Sequence, residues 1–244
     1  MDLSPFYQDL FTSLNRGLLM SLALIVPSAA GGVAIGVFAG AVRVFGRPWM
    51  RRLGDGYAAL FRGTPLVVQL FVLYFGLPNL GLYLSPYAAA VIGFVLCSGA
   101  YQSEYVRGAL LSIKSGQYHG AQALGFTGWQ TIRWIIVPQA FRRSLHGCGN
   151  EIVYLIKYSS LAYVVTCMEL TGEGKTIAAE YFRFTEVFAV IGLYYLALVT
   201  VLPLSLNIAV AADAILASDQ LMAHIHQIMP SSGILPLLIK LSTF

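Results

Sequence analysis

The chain has 244 residues, of which 57% are hydrophobic and only 11% charged, with a formal net charge of +4. Ordinary soluble domains carry about 25% charged residues, so this chain cannot clothe a globule in a charged skin, and a soluble enzyme or binding domain is excluded. The basic balance does not imply nucleic acid, because Lys and Arg of membrane chains gather in cytoplasmic loops.

The apolar residues come in long runs. Gly17 to Val42, Gly63 to Ser103 and Val187 to Ala212 contain no charge at all, and about 20 such residues cross a hydrocarbon core about 30 Å thick. Mean hydropathy is +0.72. Asp2 and Asp9 precede the first run and no basic segment opens the chain, so no cleavable signal peptide is expected. Cys97, Cys148 and Cys167 are odd in number and widely spaced, which implies neither a disulfide framework nor a metal site.

Splitting the runs at Pro and Gly gives five predicted spans, near 17–42, 55–77, 86–107, 147–168 and 187–212. Residues 1–16 then form an external N-terminal segment, and 17–212 the membrane domain. Residues 213–244 form a tail left unassigned. Arg43, Arg47, Arg51 and Arg52 follow the first span. Arg107, Lys114, Arg133, Arg142 and Arg143 lie between the third and fourth. Both loops fall on one side, which is therefore cytoplasmic. The N-terminus is then outside and the C-terminus inside.

Pro65 inside the second span removes an intrahelical hydrogen bond and predicts a kink. The cytoplasmic loop 108–146 is strongly patterned. Ser115 is placed to cap a short helix reaching about Leu124, which Gly125 would end. Thr127 and Gln130 have capping-box spacing for a second helix. Trp129, Ile132 and Ile136 share one apolar face of it, and Pro138 is expected to interrupt it. From periodicity alone, an amphipathic hairpin on the membrane surface fits equally well.

The stretch Glu169 to Thr176 ends in GKT, yet the position a phosphate-binding loop needs as its first Gly is Glu169. No nucleotide site is expected there, and any ATPase must be a separate chain. The spans hold no HExxH motif and no Ser–His pair, so an intramembrane enzyme is not expected either.

The sequence resembles the polar amino-acid family of ABC importer permeases, the histidine/glutamine permease type. Its cytoplasmic EAA signature is met here by His119-Gly120-Ala121, Gly125 and Ile135-Ile136-Val137-Pro138. Phe61 through Phe71 matches FRGTPLLVQLF almost letter for letter. Ser98-Gly99-Ala100-Tyr101 with Glu104 and Val106-Arg107-Gly108 matches SGAY…E.VRG. Gly149-Asn150-Glu151 and Lys157-Tyr158-Ser159-Ser160-Leu161 match GNE…LKDSSL, and Glu169-Leu170-Thr171 and Glu186-Val187-Phe188 also fit.

The resemblance implies an all-α type I ABC importer permease with five transmembrane helices, multi-pass in the bacterial inner membrane and not itself an enzyme. It implies two ABC ATPase subunits, a second permease chain, an external solute-binding protein and an amino-acid substrate, within membrane lipid. ATP and Mg would sit on the ATPase, with no cofactor bound by this chain. Tyr118, His119, Gly120, Ala121, Leu124 and Gly125 become the ATPase-coupling residues. Arg62, Thr64, Asn150, Glu151, Tyr158, Ser159 and Ser160 become candidates for substrate contact, since polar groups inside a span are costly and mark a pathway or an internal pair. Three departures stand out: His119-Gly120 replace Glu-Ala, Tyr158 replaces the Asp of LKDSS, and the usual short basic tail is missing. Tyr158 disfavours a cationic substrate. A self-sufficient channel or secondary carrier is the alternative, and no repeat-related pair of broken helices supports it.

Overall fold

The computed structural model describes residues 4–201, which form helices joined by short turns, with no strand among them. The helix α1 spans Ser4–Phe45 without a break, passing through Pro27. At 1.5 Å per residue it is about 60 Å long, twice a hydrocarbon core. The expected N-terminal segment and first span are therefore one rod. Its first turns are held by packing: Phe6, Leu10 and Leu14 repeat every four residues and are buried with Leu170, Ile177, Val187 and Ile191.

The rest of α1 lies on α4 (Pro86–Leu111) along a stripe of small residues. A methyl on Gly36 would sit 2.5 Å from Cβ of Gln102, one on Gly40 2.8 Å from Cβ of Val106, and one on Gly32 2.9 Å from Oγ of Ser98. In lipid, helices gain nothing from hiding apolar side chains from each other, so close backbone approach supplies the attraction. α4 is the most enclosed element, with Ala89, Ala90, Phe94, Ala100 and Ser103 at 0–1% exposure.

After a tight turn at Gly46, α2 (Pro48–Gly63) leads to α3, which starts at Leu66 and runs through a wide turn at Val72–Gly76 to Leu80. The two are bent by 102° at the break. The expected second span 55–77 is thus a corner, sharper than a kink. Thr64 is extended (φ −109°, ψ 140°), as the residue before a proline prefers, and Pro65 has no N–H to carry the ladder across. Gln69 repairs the loss. Its side-chain amide donates to the carbonyl of Phe61 (2.8 Å) and to the carbonyl and hydroxyl oxygens of Thr64 (both 3.0 Å).

In the loop, α5 covers Ser115–Ala123 and α6 covers Gly128–Thr131. Lys114, rather than Ser115, occupies the N-cap position, and Ser115 opens the helix. Gly125 stops the segment at φ +86°, a conformation that glycine adopts freely. The capping box forms as expected: Thr127 N–H donates to Gln130 Oε1 (2.8 Å), and Gln130 N–H donates to Thr127 Oγ1 (3.4 Å). Pro138 does not end this helix. A π turn at Ile132–Ile136 absorbs the missing donor, and α7 continues over Val137–Ser159. The apolar face is split, since Ile136 is 8% exposed and Trp129 69%.

α7 stops nine residues short of the expected end at 168. Ser159 and Ser160 turn their hydroxyls back to the carbonyls of Ile156 (2.7 Å) and Lys157 (2.6 Å), competing with the main chain. A 3₁₀ turn at Ala162–Val165 and left-handed Thr166 lead to α8 (Leu170–Tyr181). The last described helix, α9, covers Phe184–Val201. By length and hydropathy α1 and α9 can each cross a membrane, and the bent α2–α3 pair adds a third if it is one broken span.

The glycine stripe makes a sharp prediction. Gly36→Ala forces backbone apart and lowers stability by about 1–3 kcal/mol. Gly56→Ala, where nothing lies within 4 Å of the new methyl, is neutral or slightly stabilising. Thermal unfolding of both variants in detergent separates the two.

Candidate functional site

Two regions carry the chemistry: the polar interior between α1, α2, α4 and α7, and the exposed loop helix α5. In the first, Glu104 of α4 collects three guanidinium groups. Arg43 Nη2 and Arg62 Nη1 each donate to its Oε1 at 2.7 Å, and Arg107 Nε donates to Oε2 at 3.1 Å. Arg43, with its side chain 5% exposed, also pairs with Asp55 (2.7 Å) and donates to Ser103 Oγ (3.0 Å). One carboxylate therefore ties α1, α2 and α4 together. Sequence reasoning missed this network. Its signal was a charged Glu104 at helical spacing from Arg107.

Arg62, expected to hold a substrate carboxylate, is spent on Glu104, and its guanidinium lies 5.5 Å from the Tyr101 ring centre. Thr64 is also satisfied. Its hydroxyl donates to the carbonyl of Leu60 (2.8 Å) and accepts from Gln69. Ser159 and Ser160 have their hydroxyl protons committed within α7. Asn150 is exposed. Tyr158 is half-buried and stacks on Tyr154 at 6.1 Å, while exposed Lys157 lies 5.3 Å over the same Tyr154 ring.

Glu151 differs from all of these. It is 2% exposed, and among the described residues its Oε1 has no hydrogen-bond partner. A buried carboxylate oxygen without a donor costs several kcal/mol unless something fills the vacancy. Its neighbourhood is polar: Ser98 faces it, Gln102 donates to Ser98 Oγ (3.1 Å), and the Tyr105 ring packs on Gly147 one turn away.

The GKT stretch is not a phosphate-binding loop. Its residues are turns of α8, capped by the fully buried Glu169, which accepts from Thr171 N–H (2.9 Å), Gly172 N–H (3.0 Å) and Tyr195 O–H (2.9 Å). Lys175 lies over the Tyr163 ring at 5.1 Å.

In the second region, α5 is exposed along nearly its whole length. Leu124 is 77% exposed, and His119 and Gly120 are also exposed, with nothing within 4 Å of a methyl placed on Gly120. Ala121 is the exception at 5% exposure. It packs within this chain, so a bulky residue there would disturb the loop itself. Gln139 of α7 bonds Gln117 of α5 at 3.4 Å, and Arg143 donates to the carbonyl of Ser112 (2.8 Å), so the loop is anchored at both ends.

A bundle of apolar helices with a buried, unsatisfied carboxylate and an exposed, anchored loop helix defines a membrane transport permease. Residues 32–215 match the family model described as binding-protein-dependent transport system inner membrane component. The chain belongs to that family. It is 40% identical over 191 residues to the glutamine transport system permease protein GlnP of Escherichia coli (strain K12), covering 78% of this chain and 87% of the relative. It is 38% identical over 200 residues to the octopine transport system permease protein OccM of Rhizobium meliloti, covering 78% and 82%. Among solved structures, an amino acid ABC transporter crystallised with histidines superposes with a TM-score of 0.76 at 28% identity, covering 82% of this chain and 92% of that one. The MetNI methionine ABC transporter shares the fold, with a TM-score of 0.68 at 22% identity. The chain is thus the permease subunit of an ABC importer, and ATP hydrolysis belongs to a separate subunit.

The Glu104 cluster gives a second prediction. Glu104→Gln leaves three guanidinium groups without their carboxylate and costs about 1–3 kcal/mol, most of it from the buried Arg43. Asp55→Asn costs less, because the Asp55 side chain is 60% exposed. Unfolding midpoints in detergent, compared at low and high salt, check both.

Proposed function

We propose that this subunit imports a neutral polar or small amino acid, and that Glu151 receives its ammonium group. The buried, unpartnered Oε1 of Glu151 carries this reading. An ammonium brings the donors that the site lacks, and charge-assisted hydrogen bonds are the strong ones. The name of GlnP, a glutamine permease, supports a neutral polar substrate, and that of OccM, an octopine permease, supports only an amino-acid derivative. Tyr158 in place of an Asp leaves one acid on this helix face and disfavours lysine or arginine. Asn150 and Tyr158, on the same helix, would line the substrate path beside Glu151. Arg62, Thr64, Ser159 and Ser160 would hold the carboxylate only by releasing their present partners, a rearrangement that fits alternating access.

In this reading the chain is multi-pass in the bacterial inner membrane. It has five spans within 17–212, an external N-terminus, and a cytoplasmic loop 108–146. Residues 213–244, which lie outside the described residues, form the remaining tail. Two ATPase subunits dock on the loop through Tyr118, His119, Gly120, Leu124 and Gly125, with Ala121 shaping the helix from within. A second permease chain completes the cavity, and an external solute-binding protein delivers the substrate. This chain binds no cofactor of its own.

Two measurements test the proposal. Glu151→Gln should reduce amino-acid uptake in proteoliposomes about 10-fold or more, the worth of one charge-assisted hydrogen bond to a desolvated ion. Folding and ATPase binding should be intact. Uptake at the wild-type rate by that variant, or competition by arginine stronger than by glutamine, would overturn the assignment.

The loop is tested at its exposed tip. Leu124 is 77% exposed, so the Leu124→Glu variant should insert normally yet lose ATPase co-purification and uptake. Normal uptake at normal expression would favour a surface hairpin instead.

A further inference from the structure

The turn between α1 and α2 builds a groove whose lining includes none of the candidate substrate or ATPase-coupling residues. The backbone reverses at Gly46, whose N–H donates to the carbonyl of Val42 (2.8 Å), and α2 then returns along the end of α1. Small residues Ala39 and Gly54 form the floor and leave a cavity of about 310 Å³. Its walls are Ile35, Phe38 and Val42 from α1, with Trp49, Met50 and Leu53 from α2. Phe38 is 70% exposed, Leu53 65% and Trp49 58%, so the groove opens away from the protein.

The charge beside it has one sign. Arg47, Arg51 and Arg52 are exposed at the start of α2. Among the described residues, Arg47 and Arg52 make no ion pair, and Arg51 bonds only the carbonyl of Gly46 (2.7 Å). The nearest acid along α2, Asp55, is already taken by Arg43. An apolar slot whose α2 wall starts among three guanidinium groups that no described acid pairs with matches a molecule with an apolar chain and an anionic head.

We propose that this groove binds an anionic phospholipid, an acyl chain lying between α1 and α2 and the phosphate held by Arg47, Arg51 and Arg52. Basic clusters beside helix grooves on the cytoplasmic side attract anionic headgroups, while a zwitterionic lipid gains little from them. A protein partner would need an apolar wedge with acids fixed beside it, whereas a phospholipid carries both by construction. The inference leans on the cytoplasmic placement of this turn. The test below does not, because both leaflets carry the same lipids.

Trp49 is a built-in reporter, and the other two of the chain's three tryptophans are Trp129 and Trp134. A Trp129→Phe/Trp134→Phe chain is reconstituted in phosphatidylcholine vesicles containing a minor fraction of dibrominated phosphatidylglycerol or, in parallel, dibrominated phosphatidylcholine. The phosphatidylglycerol should quench Trp49 with an apparent affinity about tenfold higher, given three Arg contacts. Adding Arg47→Gln, Arg51→Gln and Arg52→Gln should remove that preference and leave quenching by phosphatidylcholine unchanged. Equal quenching by both lipids in the chain with its arginines intact would mean a non-selective lipid coat. Absence of quenching by either would mean that protein covers the groove. Either result overturns the proposal. Native mass spectrometry of the wild-type chain, offered equal amounts of both lipids in detergent, gives a check without substitutions. Phosphatidylglycerol should stay bound, and retention of the two lipids in equal amounts would also overturn it.

Discussion

The close approach of α1 to α4 is the constraint on which the rest of the molecule depends. At Gly32, Gly36 and Gly40 there is no room for a methyl group. The two helices therefore meet backbone to backbone, where weak contacts are dense enough to hold them in a solvent that gives no hydrophobic reward. This contact places Arg43 of α1 beside Glu104 of α4. It also sets Ser98 and Gln102 in the interior, on the helix against which α7 packs.

Polar groups in this interior are satisfied by one another wherever they can be, since no bulk water is at hand. The corner between α2 and α3 shows how. Pro65 breaks the ladder, and one glutamine side chain, Gln69, covers the carbonyls that the break leaves open. The serines at the end of α7 and the guanidinium groups around Glu104 follow the same logic. Four buried side-chain oxygens among the described residues stay open all the same, on Ser28, Gln69, Gln102 and Glu151, and Glu151 is the carboxylate among them. A bundle that satisfies Thr64, Ser159, Ser160 and Arg62 internally leaves this carboxylate oxygen open, where low dielectric makes an unpaired polar group costly.

The loop obeys a different rule. Gly125 and the Thr127–Gln130 capping box stop and restart the chain locally, and Gln139 and Arg143 tie the result to α7 and the end of α4. Anchored at its base and exposed along α5, it is tied mechanically to α7, the helix that carries Glu151.

What the sequence determined by itself was whatever depends on composition and short-range chemistry. Long charge-free runs established a membrane protein, and family motifs in order identified an importer permease. Local rules placed the capping box at Thr127, the left-handed stop at Gly125 and the break at Pro65. Only the tertiary structure decided which polar residues are spent and which are free. Arg62 and Glu151 look alike along the chain as charged groups in apolar surroundings. Their fates differ because Glu104 reaches one from 42 positions away, whereas Oε1 of the other meets no donor among the described residues. The α1–α4 stripe, the unbroken α1 and the early end of α7 belong to the same category. Each is set by what packs against the segment, and such contacts between distant residues leave no local pattern to read.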